Sequence, residues 1–164
     1  MSAAVGMDET TVPVAKAPLG PEHKAALDRA LAQVDDRALL QLAMRMIEIP
    51  SPTGGEGPLA HYLEAELRSR GFATAYHEIT ERRGNTIARL TGDGTGADLM
   101  LYGHLDTTFT GDEREDYPCV GPVDRPDLKP RATLRDGLLT GLGISNPKPG
   151  GACAVPAADA VRRR

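Results

Sequence analysis

Of the four histidines in the chain, His104 has the setting most suited to chemistry. The apolar run Leu99-Met100-Leu101-Tyr102 leads into Gly103-His104-Leu105-Asp106-Thr107. Ligands of α/β sheets bind just beyond the carboxyl ends of strands, so an imidazole there is well placed. Gly103 lets backbone or a metal approach closely. Asp106, two residues on, can steady one ring nitrogen and leave the other to act as a ligand. The spacing therefore fits a metal-binding histidine with a supporting carboxylate. His-x-Asp is also a common pair, and an ordinary strand end is the bland alternative.

The remaining clusters read as structural. His23, His61 and His77 stand without partners at ligand spacing. Gly92-x-Gly94-x-Gly96 looks like a phosphate loop, but Leu99-Met100-Leu101-Tyr102 follows where a helix N-terminus is required, which predicts a tight turn. The acidic stretch Asp112-Glu113-Arg114-Glu115-Asp116 lacks the glycine and register of a calcium loop and reads as solvated loop.

The elements that must position His104 and Asp106 follow from local patterning. Pro21-Glu22 opens a helix running to about Val34. Leu39, Leu42, Ala43, Met46 and Ile49 recur at steps of three and four, predicting a helix over 36–49 that Pro50 stops. Thr53-Gly54-Gly55-Glu56 has capping-box spacing and predicts a further helix ending at Gly71. Strands are expected over 72–79, 85–90 and 98–102, with a loop over 110–130. A hairpin around Arg135-Asp136-Gly137 and a helix over the last fifteen residues complete an α/β layer structure.

Composition excludes several classes. The 164 residues carry a net charge of −4 and no Trp, which disfavours a general nucleic-acid binder and makes any core aliphatic. Leu, Ile, Val and Phe make up about a fifth of the chain, the margin at which burying a core becomes difficult. No apolar run approaches a membrane span. Cys119 and Cys153 read as reduced thiols in a cytoplasmic protein, with a single bridge between them as the alternative. Met1 to Pro21 lacks the features of a signal peptide. Residues 1–20 read as a flexible leader.

Gly103-His104-Leu105-Asp106-Thr107 resembles the first signature of the M20 metallohydrolases, a family of deacetylases, desuccinylases, aminoacylases and carboxypeptidases. Gly141-Leu142-Gly143-Ile144-Ser145-Asn146-Pro147-Lys148-Pro149-Gly150-Gly151 is similar to the second signature, Gly-x-Gly-x-x-Asp-x-Lys-Gly-Gly, with one inserted residue. Ile49-Pro50-Ser51-Pro52-Thr53, with Glu56 and the helix to Gly71, resembles the family's opening helix–loop–helix. The resemblance runs from about residue 36 to the C-terminus.

The resemblance implies a zinc-dependent exopeptidase-like fold, with helices packed on a short mixed sheet. It makes His104 a metal ligand and Asp106 the catalytic-site carboxylate that steadies it. The metal would be zinc, or cobalt or manganese. The implied substrate is a small N-acyl amino acid or peptide-like amide. Asn146 stands where the family has a bridging aspartate, and a neutral amide is a poor bridge between two dications. The family has a cis peptide after that position. Pro147 suits one, although Asn-Pro also makes ordinary turns. The family's general-base glutamate, its later ligands and its dimerisation domain would all fall beyond residue 164. Residues 21–164 are therefore expected to form a truncated catalytic domain, inactive by itself. An unfinished sheet edge would then favour self-association.

Overall fold

The computed structural model describes residues 18–163, so the leader expected over 1–20 lies almost wholly outside the described residues. The fold is α/β. Its helices are α1 (Pro21–Leu31), α2 (Asp36–Glu48), α3 (Gly57–Ser69), α4 (Glu113–Val120) and α5 (Lys148–Arg163). Two antiparallel hairpins, β1 (Ala73–Thr80) with β2 (Arg83–Arg89) and β3 (Thr133–Arg135) with β4 (Leu138–Thr140), supply the strands.

The core forms where the apolar stripes of three helices meet. Asp35 caps α2 by accepting from the amides of Arg37 and Ala38 at 2.9 and 3.1 Å, which satisfies two otherwise free donors. Leu42, Ala43 and Met46 of α2 then pack with Leu59 and Leu63 of α3 and with Ala152 and Val155 of α5. Leu105, Leu139 and Ile144 lean on the same cluster, so the core reaches the signature segments directly.

Polar links hold the layers in register. Buried Asp159 of α5 pairs with Arg162 at 2.9 Å, Arg163 at 3.1 Å and Arg70 at 3.6 Å. That network ties α5 to the end of α3. On the first hairpin, the Thr86 hydroxyl donates to Ala60 O of α3, and Tyr76 stacks on His61 with centroids 3.9 Å apart. Asp136 and Gly137 both take positive φ, 50° and 78°, as a two-residue turn of this hand requires.

Three local expectations are corrected. The Thr53–Glu56 capping box does not form: α3 has no side-chain cap, and the Thr53 hydroxyl donates to Asp106 instead. Glu56 turns back to the Gly54 amide at 2.9 Å and to Arg83 at 3.2 Å. The loop expected over 110–130 contains α4, because Asp112 accepts from the Arg114 amide and acidic residues fill the first turn. These favour a helix start strongly enough to tolerate Pro118. Residues 98–102 form no strand. A strand needs a ladder partner, and among the described residues no strand pairs with this segment. Leu99, Met100, Leu101 and Tyr102 are 84, 85, 54 and 86% exposed.

Candidate functional site

The loop that Pro50 starts, residues 49–53, holds the His104 segment in place. Thr107 N donates to Ser51 O at 2.8 Å, and Thr53 N donates to Thr107 O at 3.1 Å. These bonds make an isolated parallel bridge between Pro52 and Thr107. The Ser51 hydroxyl adds a bond to Leu105 O at 2.7 Å. Ser51 and Thr107 are buried, so the backbone on either side of Asp106 is fixed from within the protein.

Asp106 projects from this fixed backbone between two donors. Its Oδ2 accepts from Thr53 Oγ1 at 2.8 Å, and its Oδ1 lies 3.0 Å from His104 Nδ1. The Thr53 hydroxyl first, and His104 second, hold the Asp106 carboxyl below its ordinary value, because both bonds favour the charged form. An anionic Asp106 favours the tautomer in which Nδ1–H donates a hydrogen bond to it, which leaves the Nε2 lone pair free. The His104 side chain is about half exposed and lines a cleft of about 230 Å³ with Glu56, Arg83, Asn85 and Asp106.

Asn146 takes a different position. It is exposed and lines a neighbouring cavity of about 390 Å³ with Thr107, Thr108, Phe109 and the Gly141–Ser145 turn. The Asn146–Pro147 peptide is cis. Both glycines of the turn are required by close packing. A Cβ on Gly141 (φ 152°) would lie 2.5 Å from Ile47 Cγ2, and one on Gly143 (φ 83°) would lie 2.9 Å from Thr107 Cγ2. The turn thus rests on α2 through Gly141 and against the His104 segment through Gly143.

The donor set fits one arm of a metal site, a histidine oriented by a carboxylate. It does not complete one. Among the described residues no group of three or more His, Cys, Asp and Glu side chains gathers to hold an ion, whereas a catalytic zinc usually takes three protein ligands. The acidic stretch at 112–116 has another role. Asp116 is buried and accepts from Thr110 N, Thr110 Oγ1 and Gly111 N at 2.9 to 3.1 Å, bracing the loop that follows the site. Cys119 and Cys153 stand free and exposed. No helix among the described residues is long and apolar enough to cross a membrane.

Two residues near the site were not apparent as such in the sequence. Thr53 looked like a helix cap and instead braces Asp106. Lys148 sits in the second signature with its side chain buried, its Nζ donating to Met46 O at 2.7 Å and Ile49 O at 2.9 Å. Its signal was Pro50. Met46 O would ordinarily accept from the amide of residue 50, and proline has none.

No family model matches the chain. It is 30% identical over 109 residues to succinyl-diaminopimelate desuccinylase of Corynebacterium glutamicum, covering 66% of this chain and 24% of that protein. It is 32% identical over 71 residues to YhfE of Bacillus subtilis, whose assignment as an aminopeptidase is provisional, covering 43% of this chain and 19% of that protein. The chain thus spans about a quarter or less of the length of the curated relatives it matches. Both relatives are hydrolases by name, and both matches are partial and of low identity.

Proposed function

We propose that residues 21–164 belong to the catalytic domain of an M20-type, zinc-dependent amide hydrolase acting on small N-acyl amino acids or peptide-like amides in the cytoplasm. The observation that carries this reading is the Thr53–Asp106–His104 chain of hydrogen bonds, which engages one nitrogen of a half-exposed imidazole and leaves the other for a ligand. The similarity to a desuccinylase and an aminopeptidase supports the reaction class. A zinc ion held there would acidify a bound water and polarise the scissile carbonyl. Within that reading His104 is a ligand, Asp106 steadies it, and Asn146 stands at the bridging position, contributing at most one neutral oxygen.

The described residues gather no third ligand, so we infer that the 164 residues by themselves do not hydrolyse such amides. The test is an assay of the purified chain on N-acetyl and N-succinyl amino acids with zinc or cobalt added. Turnover no greater than that of the metal alone is expected. Turnover abolished by His104→Ala would overturn the inferred inactivity.

A second reading is favoured by the exposed run Leu99-Met100-Leu101-Tyr102: a non-enzymatic α/β piece that pairs with a second copy of this chain. A continuous apolar run with free backbone groups is a template for strand pairing. Antiparallel pairing centred on Leu101 would set Asp98 opposite His104 of the partner subunit. Sizing chromatography with light scattering is the test. Dimers that Leu101→Lys converts to monomers support this reading, and a monomeric wild-type chain removes it.

A further inference from the structure

Lys148 is the largest fully buried side chain among the described residues, 1% exposed. Lysine is almost never buried unless its charge is met, and here it is met by neutral carbonyls rather than by a carboxylate. Met46 O and Ile49 O, the two acceptors, lie at the C-terminal end of α2. The last carbonyls of a helix lack intrahelical donors, and Pro50 removes the amide that Met46 O would otherwise receive. The negative end of the helix dipole favours a cation at the same place. Burial alone pushes the ammonium down to about 8.

The route that the side chain takes matters as much as its end. A Cβ on Gly143 would lie 3.1 Å from both Cδ and Cε of Lys148, and 2.9 Å from Thr107 Cγ2. Lys148 N also donates to Gly143 O at 3.0 Å. The lysine stem, the Gly143 turn and Thr107 are therefore stacked in contact. Loop 49–53 then holds both signature segments at once. Ile49 takes Lys148, while Ser51 and Thr53 take Thr107 and Asp106.

We propose that Lys148 is a positioning residue that sets the Gly141–Asn146 turn, and with it Asn146, against the His104–Asp106 pair by fastening both to loop 49–53. Its bearing on metal chemistry rests on the hydrolase reading above; the fastening itself does not.

The test is residue-resolved amide hydrogen exchange on the metal-free full chain, comparing wild type with Lys148→Met and Lys148→Gln. Methionine has nearly the same length and removes the donors without leaving a large cavity. Glutamine keeps a donor on a shorter stem. Exchange at Leu142, Thr107 and Thr53 should rise about tenfold or more in Lys148→Met, with α3 amides nearly unchanged. Lys148→Gln should fall between the two.

Unchanged protection at Thr107 and Thr53 would overturn the proposal, because Lys148 would then join only α5 to α2. Global loss of protection in both variants would overturn it equally, as the mark of a general stability role. A cobalt titration of the same samples reads the metal separately, with affinity expected to fall about tenfold in Lys148→Met. Absence of cobalt binding in the wild type would count against the hydrolase reading and leave the exchange result to judge the fastening.

Discussion

Thr53 Oγ1 donates to Asp106 Oδ2 at 2.8 Å, joining the loop after α2 to the carboxylate beside His104. The bond fixes one oxygen of Asp106 and leaves the other for the imidazole, so the ring orientation is set before any ligand arrives.

Replacing Thr53 by Val keeps the backbone bond to Thr107 and removes only the hydroxyl. The Asp106 carboxyl should then titrate higher, toward its ordinary 3.8, since the Thr53 bond is the largest cause of its depression. The sign follows from linkage. A carboxyl lowered in the folded state contributes stability above pH 3.8 that is lost as pH falls through the folded value. Carboxyl carbon shifts followed by NMR between pH 2 and pH 6 would check it, and an unmoved Asp106 titration would show that the hydroxyl has no such role.

Gly143→Ala should destabilise the chain by about 1–3 kcal/mol, from positive φ and from crowding against Thr107 and Lys148. Urea unfolding monitored by circular dichroism measures this. Gly94→Ala, also at positive φ but with nothing near its Cβ, is the control for conformation alone and should cost less.

Asp159→Ala strips the carboxylate from Arg70, Arg162 and Arg163. Two of those arginines reach solvent, so the loss should fall below the roughly 3–5 kcal/mol of a fully buried pair, on the order of 2 kcal/mol. A thermal melt showing no change would mean that the network does not dock α5.

Much of the frame was legible because it is written in local patterns. The apolar stripe of α2, Gly71 after α3 and Asp136-Gly137 in the second hairpin each fix their element through nearby residues. The cis bond at Asn146–Pro147 matched the implied geometry. The loop contacts were less legible, since Thr53 and Asp106 meet only in the folded chain and a Thr-x-x-Glu spacing reads locally as a cap. Lys148 was hidden for a related reason: a charged residue in a Gly-rich turn reads as exposed until the missing amide of Pro50 is noticed. Residues 98–102 have strand composition without a strand, because pairing depends on a neighbour and not on propensity alone.

The central claim, that His104 is a metal ligand steadied by Asp106, is tested most directly by cobalt absorption spectroscopy. Wild type, His104→Ala and Asp106→Asn would be titrated with Co²⁺ at neutral pH. The prediction is weak cobalt binding in the wild type, as an incomplete donor set requires, roughly 10–100-fold weaker still in Asp106→Asn, and none in His104→Ala. Cobalt bound equally well by His104→Ala, through His23, His61 or His77, would contradict it.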